Sequence, residues 1–184
     1  MLVVCSDTHG TDAPRLSGRT LSAVREAEAV VHAGDFTTEA SLDGFHREAD
    51  RLHAVHGNVD TPAVADRLPP ARIVDWNGLR IAVTHRPEGG ATGMAMFGRE
   101  RDADLVVHGH THRPGFREGD PPVLNPGSHA DPRGNRPGHA EIEAVDRGSD
   151  GEGGDPPPSE GRIVEPDGTV FERFEVEAGP DDRG

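Results

Sequence analysis

A chain of 184 residues with 33 acidic residues against 19 basic ones carries a formal charge of −14, and every basic residue is Arg. That balance offers no basic stripe for nucleic acid or for an anionic membrane, because counterion release needs clustered cations. It suits instead a halophilic protein, whose carboxylate-rich surface stays hydrated while salt screens its self-repulsion.

In chain order, residues 2–6 form a short apolar run that stops at DTHG, the pattern of a buried strand delivering a loop. Residues 20–28 place Leu21, Val24 and Ala27 at helical spacing, and residues 29–32 return to an apolar strand that stops at Gly34-Asp35. Residues 41–50 read as a second helix, and residues 52–56 as a third strand ending at Gly57-Asn58. This alternation predicts βαβ units with right-handed crossovers. Residues 73–76 and 79–84 then flank Asn77-Gly78, a hairpin signal. A helix is expected over 94–101 and a strand over 104–108, opening onto GHTH. Later strands are expected at 123–125, 140–145, 162–165 and 169–176, with Pro166-Asp167-Gly168 turning between the last two. The fold class is α/β: two packed mixed β-sheets flanked by helices, in one domain over 1–176. Residues 146–161, all Gly, Pro, acid and other polar types, read as a solvated disordered-like loop, and 177–184 as a flexible tail.

Cys5 is expected in the core, and a single cysteine excludes an intramolecular disulfide. No basic-then-apolar leader opens the chain and no apolar run is long enough to span a bilayer, so the expected location is cytoplasmic.

Five fragments carry chemistry: Asp7 and His9 in DTHG, Asp35 in HAGD, Asn58 in HGNVD, His85 in VTH, and His110 with His112 in GHTH. Each alone has an ordinary explanation as a turn, a cap or a solvated histidine. Together, each following a strand-like run, they point to one metal site, since open α/β sheets place ligands beyond the carboxyl ends of their strands. Carboxylate, imidazole and amide oxygen without thiolate suit Mn²⁺, Fe²⁺, Ni²⁺ or Zn²⁺ in a reactive site rather than a structural zinc.

The series SDTHG, HAGDF, HGNVD, VTH, DLVVHGHTHRP and VLNPGS, running from Met1 to about Ser128, resembles that of the calcineurin-like metallophosphoesterase superfamily, most closely its YfcE-type phosphodiesterase branch. The resemblance implies two divalent metal ions per chain, Mn²⁺ first. Asp7, His9, Asp35 and His112 would hold one, and Asp35, as the bridge, with Asn58, His85 and His110 would hold the other. It implies a phosphodiesterase acting on a small or nucleotide-derived diester through a hydroxide between the metals, with Asp35, Asn58 and His85 in the catalytic set. A phosphomonoesterase or nuclease of the same fold is a further possibility. So is a non-catalytic protein-binding scaffold, the role the fold plays in a retromer subunit.

Many members of the superfamily have His directly after the ligand Asn, positioned to protonate the leaving oxygen; here Val59 stands there. Asp60 is expected to orient Asn58 or a ligand imidazole, and Arg86 either to contact the substrate phosphate or to pair with a surface acid. His56, His108, His129 and His139 are expected outside the ligand set, though His56 could touch a leaving group, and Asn125 and Ser128 are expected to fix the loop around GHTH. Trp76 reads as packing or as an interface anchor rather than as a base-stacking platform, and a homodimer through the exposed hairpin is a further expectation.

Overall fold

The computed structural model describes residues 1–86, 88–145 and 158–179. Two β-sheets face each other across a shared core. The six-stranded sheet has the order β11-β10-β9-β1-β2-β3. It is built from β1 (Leu2–Cys5), β2 (Ala29–His32), β3 (Leu52–Ala54), β9 (His139–Glu143), β10 (Ser159–Val164) and β11 (Val170–Val176). The five-stranded sheet has the order β4-β5-β6-β8-β7. Its strands are β4 (Ala71–Trp76), β5 (Leu79–Thr84), β6 (Leu105–Val107), β7 (Gly115–Arg117) and β8 (Val123–Asn125). Helices α1 (Gly18–Glu26), α2 (Glu39–Glu48), α3 (Pro62–Ala65) and α4 (Gly90–Arg99) connect them.

The strand period of two sorts the apolar residues into layers. Leu2, Val4 and Val31 meet Ile81, Val83, Leu105 and Val107 between the sheets. Val3, Cys5 and Val30 point the other way, onto Ala23 and Val24 of α1 and Leu42 and Phe45 of α2. Ala82, Val106 and Val123 underlie Met94 and Phe97 of α4. Strands β1, β2 and β3 run parallel, as do β5 and β6, so these five carboxyl ends deliver loops to one end of the sandwich.

The expected βαβ opening, the hairpin and the late strands are present. Asn77 and Gly78 both take positive φ, 45° and 83°, as a tight hairpin of right-twisted strands requires. Several boundaries differ. Strand β3 stops at Ala54, because His56 and Gly57 already turn into the site loop. Helix α4 begins at Gly90 behind a left-handed Gly89, four residues earlier than its apolar spacing suggests. Helix α3 and strand β7 are short elements that no periodicity announces, and β7 exists through its pairing with β8. Trp76 is 7% exposed and its Nε1 donates to Glu28 Oε2 at 3.1 Å, so it packs in the core between the sheets.

Most of the expected loop at 146–161 lies outside the described residues, but its end does not: β10 starts at Ser159, held against β9 and β11 by Gly161 opposite Ile142 and Phe174. Of the expected tail, Ala178 packs on the inter-sheet core and the Gly179 N–H donates to Asp104 Oδ1 at 2.7 Å. Residues 177–179 are thus docked, and the remainder of the tail lies outside the described residues. No helix among the described residues is long and apolar enough to cross a membrane.

Candidate metal centre

Asp7 and His9 follow β1, Asp35 follows β2 and Asn58 follows β3, all from one sheet; His85 follows β5 and His110 and His112 follow β6 in the other. The loops are tied to one another through backbone. Asp7 N donates to Gly34 O and His9 N to Asp35 O, and Gly109 N donates to His85 O, each at 3.0 Å. Two glycines are required by this closeness. A Cβ on Gly57 would stand 2.0 Å from Asp35 Oδ1, and one on Gly109 1.9 Å from Ser6 Oγ. Asp7, His9, Asp35, His110 and His112 all adopt left-handed backbone, with φ between 48° and 70°. Residues with a Cβ rarely do so, and such strain concentrates where function demands it.

The seven candidate ligands named by the sequence, Asp7, His9, Asp35, Asn58, His85, His110 and His112, converge. Asp7, His9 and His112 present donor atoms within 4.8 Å of one another, and so do Asp7, Asp35 and His85. His112 Nε2 is 3.4 Å from Asp7 Oδ1 and 3.2 Å from His9 Nε2. Asp35 Oδ2 lies 3.2 Å from His85 Nε2 and 3.8 Å from His9 Nε2, between the two groups. Asn58 Oδ1 is 3.1 Å from His85 Nε2 and 2.7 Å from His110 Nδ1. Asp7, Asp35, His85 and His112 form a buried floor, whereas Asn58 is exposed at the rim.

The tautomers show what the cluster is suited to hold. His85 Nδ1 donates to the Ala33 carbonyl at 2.7 Å, and His112 Nδ1 donates to the Asp131 carbonyl. With Nδ1 committed to a carbonyl, each neutral ring turns the Nε2 lone pair toward a carboxylate oxygen. Lone pair against lone pair is repulsive; a positive charge between them makes it attractive. Burial opposes charge on His85, but the adjoining Asp35 carboxylate overrides burial and raises its pKa. Burial likewise raises Asp7 in spite of the Ser6 hydroxyl and the neighbouring imidazoles, whereas at Asp35 burial is outweighed by His85 and the Val59 N–H, and its pKa falls. The donor set and its geometry fit divalent cations with oxygen and imidazole ligands.

Asp60 lies beside the cluster but makes no hydrogen bond to Asn58 or to an imidazole. Its carboxylate accepts from Gly57 N at 2.6 Å, Thr37 N at 2.6 Å and Asp35 N at 3.1 Å, clamping two site loops through their backbones. Asn125 Nδ2 donates to Gly109 O and Thr111 Oγ1, both at 3.0 Å, and Ser128 Oγ donates to Asp7 O at 2.7 Å, so both fix the site loops. His56, His108, His129 and His139 stay apart. Burial pushes His108 down to about 4 and His129 to about 3, and His139 serves the buried Glu141 at 3.0 Å. Sequence reasoning missed Asp131 and Arg133, which lie well past the end of β8 rather than directly at a strand's end. Arg133 Nη2 is 3.3 Å from His9 Nε2, and Arg133 Nε donates to Asp131 Oδ2 at 3.1 Å. Their signal was proximity to Ser128, in a loop that Ser128 Oγ ties by accepting from Asp131 N at 2.8 Å.

A cleft of about 610 Å³ opens beside His110, lined by Arg86, Met94, His108 and Thr111 among others. Arg86 is exposed there and has no carboxylate partner among the described residues.

Two mixed sheets with flanking helices, gathering oxygen and imidazole donors at the carboxyl ends of parallel strands, define an α/β sandwich built around a polar ligand cluster. A sequence profile of the calcineurin-like phosphoesterase superfamily domain matches residues 1–147, and the chain belongs to this family of metal-dependent phosphoesterases. A probable metallophosphoesterase of Methanothermobacter thermautotrophicus is 33% identical over 138 residues, covering 72% of this chain and 79% of the relative. Among solved structures, zinc-bound Vps29 of Entamoeba histolytica superposes with a TM-score of 0.72 at 21% identity, over 95% of this chain and 98% of that one. YfcE, a phosphoesterase from E. coli, gives 0.65 at 20% identity over 96% and 99% of the two chains. An archaeal phosphodiesterase gives 0.57 at 22% identity over 76% and 90%.

Proposed function

We propose that this protein is a phosphodiesterase of the YfcE-type branch that hydrolyses a small or nucleotide-derived phosphodiester with two divalent metal ions, Mn²⁺ first among Mn²⁺, Fe²⁺, Ni²⁺ and Zn²⁺. The observation that carries the reading is the pair of histidines, His85 and His112, each fixed through Nδ1 to a carbonyl so that Nε2 faces a carboxylate. Asp7, His9, Asp35 and His112 would hold one ion, and Asp35, Asn58, His85 and His110 the other. Bound there, such ions supply the charge that stabilises phosphoryl oxygens and makes hydroxide available near neutral pH.

The remaining work falls to the chain's own groups. Ser6 Oγ and the His110 N–H donate to Asp7 at 2.7 and 2.9 Å, and the Val59 N–H donates to Asp35 Oδ1 at 3.0 Å, which holds the carboxylates in place. Arg133 on the His9 side and Arg86 on the His110 side flank the cluster with guanidiniums that match phosphate geometry. Among the described residues, neither Val59 nor His108 supplies an acid for the leaving group. Val59 has no proton to give, and His108, at about 4, is neutral at pH 7. The leaving oxygen therefore departs as an anion, which favours diesters of acidic phenols over alkyl monoesters.

The testing experiment is reconstitution with Mn²⁺, measurement of metal content, and a panel of bis(4-nitrophenyl) phosphate, cyclic nucleotides, dinucleotides, phospholipid diesters and alkyl monoesters. The expected result is bound metal and rapid turnover of the activated diester. Equal kcat/KM on diester and alkyl monoester removes the diesterase assignment. Absence of both metal and hydrolysis favours the second reading, a protein-binding scaffold, to which the likeness to Vps29 points.

A further inference from the structure

The cleft beside His110 does not end there. A neighbouring cleft of about 510 Å³ shares Met94, His108 and Thr111 with it and continues over Arg113, Phe116 and Arg117. The two form one groove leading from the rim of the donor cluster, between α4 and β7. Many arginines of this acidic chain are neutralised: Arg25 pairs with Glu48, Arg67 with Asp43, Arg136 with Glu165 and Arg162 with Glu141. Arg86, Arg113 and Arg117 are exposed in the groove, and none has a carboxylate partner among the described residues. Glu88 is the acid that lines the first cleft. Glu172, beside the second, spends its Oε1 on the Phe116 N–H at 2.8 Å. In a chain whose overall field repels anions, unpaired guanidiniums along one groove supply local attraction for a second negative group. The same walls offer apolar contact. Phe116 is held by stacking on Phe174 at 4.5 Å, and Met94 Sδ lies 4.0 Å from Arg117 Nη2.

We propose that this groove binds the far arm of the substrate, and that this arm carries a further phosphate together with a flat apolar group, as in a short 5′-phosphorylated dinucleotide. The proposal rests on the diesterase reading above and narrows its substrate class. The scissile phosphate lies over the donor cluster, the arm runs past His110, and the second phosphate meets the forked donors of Arg113 and Arg117.

The test compares the dinucleotide pApA with ApA, which differ only in the terminal phosphate, and with bis(4-nitrophenyl) phosphate. It uses the full chain loaded with Mn²⁺, with calorimetric binding of pApA and ApA to metal-free protein as a readout independent of turnover. Wild type is expected to favour pApA over ApA by about tenfold in both kcat/KM and Kd, the size of one or two charge-assisted contacts. In Arg113→Gln/Arg117→Gln that preference is expected to vanish. The charge-matched control Arg47→Gln/Arg51→Gln, on α2 and the turn before β3, should retain it. Equal treatment of pApA and ApA by wild type overturns the proposal, as does an equal loss in both double variants, which would report net charge alone. If none of the three substrates is hydrolysed while the groove variants still weaken pApA binding, the phosphodiesterase reading fails and the groove's phosphate preference stands.

Discussion

His85 Nε2 stands 3.2 Å from Asp35 Oδ2 while its Nδ1 donates to the Ala33 carbonyl at 2.7 Å. One residue from each sheet thus meets across the sandwich, and a backbone carbonyl dictates which nitrogen faces the carboxylate. The contact is stable only when a positive charge occupies it, whether a proton on the imidazole or a cation between the two side chains.

Asp35→Asn keeps the shape of that contact and removes its only negative charge. It should lower Mn²⁺ content, measured by elemental analysis, and reduce kcat/KM on an activated diester by on the order of 10²–10³-fold. An unchanged metal content with full activity would show that Asp35 lies outside the reacting site.

Asp60→Ala removes the acceptor of three backbone N–H groups, those of Asp35, Thr37 and Gly57. The loss should cost about 1–3 kcal/mol in urea unfolding and weaken metal binding by about 10–100-fold, as expected when support of a ligand loop is lost. Asp60→Asn, which keeps one accepting oxygen, should recover part of both. A variant that loses metal affinity with no loss of stability would instead place Asp60 among the ligands.

Glu141 is a buried carboxylate bonded to His139 at 3.0 Å, Arg19 at 2.7 Å and Arg162 at 2.6 Å. Burial opposes its charge, but these three partners hold its pKa far below the ordinary value of 4.5. Because the folded value is depressed, the contribution to stability is full above pH 4.5 and is lost progressively as the pH falls toward the folded value. Glu141→Gln should therefore unfold about 3 kcal/mol more easily at pH 7, and the gap to wild type should narrow on acidification. Denaturant melts at several pH values check this; a gap independent of pH would refute it.

The formal charge of −14 predicts a melting temperature that rises between low and molar salt as self-repulsion is screened. Scanning calorimetry across that range is the measurement, and a flat response removes the halophilic assignment.

Strand and helix order was legible in the chain because apolar runs and their stops are local. Apolar runs announce the strands at 2–5, 29–32, 52–54, 79–84 and 105–107, and the five donor fragments sit where those runs end. Short or nonperiodic elements left no such trace. Strand β7 is held by its partner β8, and Asp131 and Arg133 reach His9 and His112 from the long loop after β8, six and eight residues past the strand's end. Asp60 shows the same division. Its place beside Asn58 was plain, but its three backbone partners lie in Gly57 and, more than twenty residues away, in Asp35 and Thr37. The sequence by itself determined which residue types are present and which strand end carries each, since side-chain chemistry and hydrophobic period are properties of neighbours in the chain. Only the tertiary structure decided which nitrogen of His85 faces Asp35, that Trp76 is buried, and that Arg86, Arg113 and Arg117 line one groove. Those outcomes depend on how two sheets pack, and packing brings together groups whose separation along the chain carries no signal of their distance in space.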